Sequence, residues 1–273
     1  VPTHYNFAFD VVDHWGEDAQ KLAMLWVNER GEEKRLTFRD FTVRSNQVGN
    51  ALRTMGILKR DRILIMLPRL PEWWEAVLGI MKIGAISMPG TTLLTPKDVA
   101  YRIQAAEAVA VITDDEGALK VEQVANECPT LRLKVVLGAE REGWVNYARA
   151  VASAMSTLKP EPTRSDEPMM LYFTSGTVGY PKMVLHTHVS YPIGHIVTGK
   201  YWLDLKPTDL HWNLSDTGWA KAAYSTLFGP WIMGAAMFTF DGRGRFDARQ
   251  ILELLERYPI STFCAPPTAY RLL

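Results

Sequence analysis

Two spacings of apolar residues alternate along the chain. Phe38, Phe41, Ser45, Val48, Leu52 and Met55 recur at steps of three and four, one face of a helix, with Thr37 as its N-cap and Gly56 as its stop. Residues 62–67 read as a strand buried on both faces, apolar without a break after Arg62. Pro71 then opens a helix through Trp73, Trp74, Val77, Leu78 and Met81, and Gly84 ends it before a short strand at 85–88. That is a βαβ unit. Of the two tryptophans, one is expected in the core and the other partly exposed. The rhythm continues with a helix opened by Thr95-Pro96, a strand at 108–113, a helix at 116–126, a strand at 133–137 and a short helix within 143–154.

Ahead of this run, residues 6–15 have helical spacing and residues 22–27 read as a strand closed by a polar turn at 28–34. Behind it, three prolines and five charges at 159–168 mark a surface connection, which leads into a strand at 169–173. A helical segment is expected to begin near 186, interrupted by Pro192 and Gly194. A strand at 209–213, a helix at 219–228, a strand at 235–240, a helix at 247–258 and a strand at 260–264 follow. Strands apolar on both sides need cover on both faces, so the expected class is α/β, with a doubly wound, mostly parallel sheet and helices on both faces. Residues 1–168 are expected to form one subdomain with a lead-in segment, and 169–273 a second.

Composition narrows the function. Lys plus Arg and Asp plus Glu are equal at 30 each among 273 residues, so no basic excess points to nucleic acid or an anionic membrane. No apolar run reaches the length of a membrane span, and the first residues lack the layout of a signal peptide. Cys128 and Cys264 lie far apart, which argues against a disulfide framework and for a reducing compartment, cytoplasm by default. Any phosphate binding must therefore be local. Its candidate is the stretch Thr174-Ser175-Gly176-Thr177-Val178-Gly179-Tyr180-Pro181-Lys182, which follows the strand Leu171-Tyr172-Phe173. Three hydroxyls, two glycines that let backbone N–H groups approach a ligand, and one ammonium suit phosphate oxygens. Neither the P-loop spacing nor the dinucleotide-binding glycine spacing occurs here.

This stretch resembles the phosphate-binding signature of the adenylate-forming, AMP-binding superfamily: acyl-CoA synthetases, luciferase-like enzymes and peptide-synthetase adenylation domains. Further stations agree in order. Leu36-Thr37-Phe38-Arg39-Asp40-Phe41 is similar to one core motif, and Met81-Lys82-Ile83-Gly84-Ala85 with Met88-Pro89-Gly90 to a second. Ser215-Asp216-Thr217-Gly218-Trp219 and Ala265-Pro266-Pro267-Thr268-Ala269-Tyr270-Arg271 look most like the medium-chain acyl-CoA synthetase branch and, more distantly, acetyl-CoA synthetase.

The resemblance implies a carboxylate–CoA ligase acting on a medium-chain or aromatic acid, with ATP, Mg2+ and CoA. The acid attacks the α-phosphate to form an acyl-adenylate and pyrophosphate, and the CoA thiol then displaces AMP. It also implies that Thr174 and Lys182 act catalytically, and that Thr174, Ser175, Gly176, Thr177, Val178, Gly179, Tyr180, Pro181 and Lys182 bind the nucleotide phosphates. Val178 stands where the family usually has Thr or Ser, so one hydroxyl is absent from the loop. Trp219 and Ala220 border the acyl pocket by the same resemblance, although Trp219 could equally be ordinary core. His186, His188 and His195 have no cysteine or carboxylate partner at ligand spacing, and no protein-held metal is expected. The loop at 241–245 is basic and glycine-rich and reads as a connector before a phosphate contact.

The same resemblance places ribose, adenine and a mobile domain with a catalytic lysine beyond Leu273. The chain is thus expected to be the N-terminal portion of a synthetase, inactive alone, associating with itself or with the remaining half. Two other readings stay open: a catalytically silent nucleotide-binding scaffold, and a luciferase-like or peptide-synthetase relative.

Overall fold

The computed structural model describes residues 1–174, 179–244 and 246–273. Its strands are β1 (Leu22–Asn28), β2 (Glu33–Thr37), β3 (Arg62–Met66), β4 (Ile86–Pro89), β5 (Ala110–Asp114), β6 (Leu133–Leu137), β7 (Val145–Asn146), β8 (Pro168–Thr174), β9 (Lys182–Thr187), β10 (Leu210–Asn213), β11 (Ala236–Asp241) and β12 (Thr262–Cys264). The α/β class holds, but the strands divide between two sheets. One runs β7-β6-β5-β3-β4-β8-β9, parallel except for β9; the other runs β12-β10-β11-β1-β2, parallel except for β2. Sheet membership crosses residue 168. β8 and β9 complete the first sheet, while β1 and β2 join strands that lie far along the chain.

The period of two along each strand assigns its faces. Ile63, Ile65 and Leu67 point into a central core, and Leu64 and Met66 into an outer one. Met24 and Trp26 point into that same central core from the second sheet, and Leu25 and Val27 away from it. Helices α1 (Phe38–Thr54) and α2 (Pro71–Lys82) fill the space between the sheets, together with the helical stretch from Ala220 to Ile232. Helices α3 (Pro96–Ala105) and α4 (Asp115–Glu122) cover the outer face of the first sheet, and the helix Ala248–Arg257 covers that of the second. Helix α5 (Tyr147–Ala152) packs on the central core through Tyr147 and Val151.

Local chemistry accounts for the helix starts. Thr37 Oγ1 accepts from the Asp40 N–H at 3.1 Å while the Asp40 carboxylate accepts from the Thr37 N–H at 2.7 Å, a full capping box. Thr95 and Asp98 repeat it at α3. Helix α2 is different: apart from Glu72 every residue is buried, including both tryptophans, and Trp74 Nε1 donates to the Thr226 carbonyl at 2.8 Å. Its two buried charges are partnered. Lys82 Nζ reaches Asp13 Oδ1 at 2.7 Å and Asn46 Oδ1 at 2.8 Å. Glu75 accepts from Tyr147 Oη at 3.1 Å and from Arg44 Nε at 3.3 Å. Burial pushes the Lys82 ammonium below its ordinary range, opposed by Asp13, and pushes the Glu75 carboxyl up, opposed by Arg44.

The pattern of residues differs from the structure at several places. Glu33–Thr37 is an edge strand rather than the tail of a polar turn, because its charged face is solvated while Leu36 packs inward. Residues 182–187 are strand, and helix appears only at Gly194–Val197. The segments at 6–15 and 219–228 are helical but widen to π-turns at Ala8–Asp13 and Tyr224–Phe228.

Replacing Asp13 by Ala leaves an ammonium buried without its counter-charge and is expected to cost about 3 kcal/mol. Lys82→Met should cost less, because Asp13 is partly exposed and can hydrate. Urea unfolding of both variants checks the order, and equal losses would show that the pair is not what holds this end of α2.

Candidate active site

The phosphate-loop candidate is the tip of an antiparallel hairpin at the carboxyl end of the first sheet. Thr174 lies directly opposite Lys182 in the β8–β9 register. Opposed residues of antiparallel strands carry their side chains on one face, with Cβ atoms about 4.5–5.5 Å apart. Thr174 Oγ1 lies 3.4 Å from the Lys182 carbonyl, and both residues are exposed. Ser175, Gly176, Thr177 and Val178 lie outside the described residues. Gly179 re-enters at φ +88°, a backbone region that a β-carbon disfavours. Tyr180 is 63% exposed and Pro181 partly buried.

Beside the hairpin, the carboxyl ends of both sheets meet. A crevice of about 410 Å³ is lined by Pro68 and Arg69 after β3, Thr92 and Leu93 after β4, Asp114 and Glu116 after β5, Asp216 after β10, and Gly242 to Gly244 after β11, with Lys120 on α4. Open α/β sheets bind ligands at this edge. A second cavity, about 550 Å³, lies at the opposite, amino ends of β1, β10 and β11, away from these loops.

The crevice is braced across the two sheets. Thr217 Oγ1 donates to the Leu67 carbonyl at 2.7 Å, and Arg69 Nη2 donates to the Leu214 carbonyl at 3.1 Å. Gly218 lies so close to the loop after β4 that a β-carbon there would sit 2.0 Å from the Thr91 nitrogen. Arg243 bonds Asp241 Oδ1 at 2.8 Å and approaches Asp114 Oδ2 at 3.6 Å, while its N–H donates to Glu29 at 2.7 Å. The described part of the loop at 241–245 is thus tied to carboxylates; Arg245 lies outside the described residues. Burial pulls the Arg69 guanidinium down, opposed by Asp216 and Asp241, and raises the Asp241 carboxyl, opposed by Arg243.

Residues 12–273 match the family described as AMP-binding enzyme. The chain belongs to the AMP-binding enzyme family. It is 43% identical over 281 residues to human acyl-coenzyme A synthetase ACSM3, mitochondrial, and 40% identical to rat acyl-coenzyme A synthetase ACSM4, mitochondrial. All of the chain is covered in both cases but only 48% of each relative, so it spans about half their length. Its fold is similar to the crystal structure of the anthranilate CoA ligase AuaEII in complex with anthranoyl-AMP, with a TM-score of 0.91 at 28% identity over 99% of this chain and 51% of that one. A Brucella canis acyl-CoA synthetase superposes with a TM-score of 0.89 at 28% identity, over 99% of this chain and 49% of that one.

Within this AMP-binding chain the remaining candidates separate. Trp219 is 61% exposed, which removes the reading of it as core, and it caps the helix that starts at Ala220. The Ala220 carbonyl accepts from Tyr191 Oη at 2.6 Å. His186 and His195 belong to an aromatic column: His186 stacks on Tyr191 at 4.2 Å, Tyr191 meets His195 edge-on at 4.5 Å, and His195 stacks on Tyr224 at 4.9 Å. Neither ring nitrogen of the fully buried His188 has a partner among the described residues. No group of three His, Cys, Asp or Glu side chains among the described residues is placed to hold a metal ion. Sequence reasoning passed over Arg69 and Asp114 and read the loop that carries Arg243 as a connector; their meeting depends on how the two sheets pack, and their linear signal was only a position at or just after the end of an apolar strand.

Gly218→Ala should cost about 1–3 kcal/mol through overpacking, or push the 215–219 loop off the β4 loop. Urea unfolding followed by tryptophan emission measures it, and a wild-type midpoint would show that the close approach is relaxed in solution. A second prediction concerns acid. Burial lowers the pKa of His188, against Glu167, and of His211, against its Ser225 backbone and Asp209 contacts, from 6.5 to about 4. The unfolded chain therefore binds more protons between those values, and stability should fall as pH drops from 6.5 to 4. A urea midpoint that stays flat over this window would contradict it.

Proposed function

We propose that this chain carries the phosphate-handling half of an ATP-dependent carboxylate–CoA ligase for a medium-chain or aromatic acid. The observation that carries the reading is the register pair Thr174–Lys182, which puts a hydroxyl and an ammonium on one face of a hairpin at the carboxyl edge of the sheet. In the first step the acid's carboxylate oxygen bonds to the α-phosphorus of ATP, and the bond from that phosphorus to the bridging oxygen breaks. Pyrophosphate leaves with the electron pair. The nucleophile is already an anion, so the demand on the protein is charge handling rather than proton removal. Lys182 and Thr174 would hold the oxygens of the departing pyrophosphate, with Ser175 and Thr177 adding donors. In the second step the CoA thiolate bonds to the acyl carbon and AMP leaves.

Mg2+ enters this reading as the counter-ion of ATP. Trp219 and Ala220 are read as one wall of the acyl pocket, which suits the exposure of Trp219. The two sheet-based units would form the two halves of the nucleotide cleft. Apolar side chains are exposed on and near β9, among them Leu185 at 51%, Val197 at 61% and Tyr201 at 72%. We read them as covered by the remaining half of the protein or by a second copy. No helix among the described residues is long and apolar enough to cross a membrane. Both cysteines are free and buried, and the human and rat relatives are mitochondrial by name, so a reducing compartment that holds ATP and CoA, cytoplasm or mitochondrion, fits the reading.

The test is ATP–pyrophosphate exchange with acids from acetate to decanoate and benzoate, using the chain alone and complemented with the second half of a relative. Acid-dependent exchange is expected in the complemented form. Lys182→Ala and Thr174→Ala should each lower it roughly 10–100-fold, the factor for a lost hydrogen bond to a charged group. Absence of exchange with every acid in the complemented form would falsify the ligase reading and leave a silent nucleotide-binding module.

A further inference from the structure

Tyr101, on α3, belongs to none of the motifs above, yet it touches both arms of the hairpin. Its hydroxyl donates to the Pro181 carbonyl at 2.9 Å. Its ring stacks on Tyr180, with centroids 4.7 Å apart and planes 20° from parallel, and meets Phe173 edge-on at 5.9 Å. The next residue, Arg102, places its guanidinium 5.2 Å from the Phe173 ring centre. Phe173 immediately precedes Thr174, and Tyr180-Pro181 immediately precede Lys182. One turn of one helix thus holds the residues that precede Thr174 and Lys182.

This support has little competition. Tyr180 and Tyr101 together border a cleft of about 360 Å³ that also reaches Lys97, Gln104 and Glu127, and the outer edge of β9 has no strand partner among the described residues. Of the residues that Tyr101 grips, Tyr180 is exposed and Pro181 and Phe173 are only partly buried, so the contact sits at the margin of the outer core rather than inside it. Its effect falls on geometry: a shift of Pro181 moves Lys182 relative to Thr174, and ligands that share one phosphate group lose their common focus.

We propose that Tyr101 is a positioning residue for phosphate binding, clamping the two arms of the β8–β9 hairpin to α3 so that Thr174 and Lys182 keep their spacing. The identity of the ligand rests on the ligase reading above, whereas the clamp itself does not. Two variants divide the contact, Tyr101→Phe removing only the hydrogen bond and Tyr101→Ala removing the stack as well. In the complemented enzyme, Y101F should raise KM for MgATP about 3–10-fold with kcat within about twofold. Y101A should raise it by a further factor of about 2–10, the worth of the aromatic pair. In the 273-residue chain, exchange of the alternate β9 amides that donate to β8 should quicken in the same order while that of β5 and β6 stays unchanged.

Wild-type hairpin exchange in Y101A would overturn the clamp, whatever the kinetics. Faster hairpin exchange with KM for MgATP unchanged would overturn the positioning role. If the complemented wild type shows no acid-dependent activity, the ligase reading fails. In that event MgATP titration of the chain decides the proposal: affinity weakened in the order Y101F then Y101A supports it, and equal or undetectable binding in all three overturns it.

Discussion

Everything in this fold depends on a helix that has no solvent face to spare. Helix α2 lies between two sheets, and its sequence is apolar almost all round, as a helix buried on every side must be. Where charge does occur, at Glu75 and Lys82, it is met by Arg44, Tyr147, Asp13 and Asn46, which come from α1, α5 and the N-terminal segment. These partners fix how three separate pieces of chain surround α2. The positions of both sheets, and of the loops at their carboxyl ends, follow from that arrangement.

The loops above it gain their order from crossing between the sheets. Thr217 and Arg69 each join a loop of one sheet to a strand end of the other, and Gly218 allows the two backbones to pass with no side chain between them. A crevice built this way has fixed walls and charged lining, with Arg69 and Arg243 set among Asp114, Asp216 and Asp241. The hairpin stands apart from this bracing. It is attached at a sheet edge and steadied by α3 through Tyr101.

The helices and most strands were legible in the sequence because each rests on local information: spacing, caps, and glycine stops. Thr37, Pro71 and Thr95 marked true helix starts. The division into two sheets was not legible. An apolar strand such as residues 22–28 shows that both faces are buried, yet nothing in it says that Met24 will lie beside Met237. The hairpin was missed for a related reason. Lys182–Thr187 is an edge strand with Met183, Val184 and Leu185 all exposed, so it lacks the alternation that betrays a half-buried strand. Motif order did point to the family that the matching model bears out, because that pattern is carried by residue types rather than by contacts. Tyr101 could not have been found that way, since its meaning lies wholly in what packs against it.

The pairing of β1 with β11 also sets a timetable. The first sheet is assembled from strands that all lie between Arg62 and Thr187, most of them paired with near neighbours in sequence, although β4 waits for β8. The hairpin of β1 and β2 precedes the other described strands in sequence but has no parallel neighbour until residues 236–241 have been synthesised. Until then its apolar face, Met24 and Trp26 included, must wait beside the growing chain. Among the described residues, the strands earliest in sequence are among the last to find their place, and their sheet stays open while everything between β2 and β11 is made.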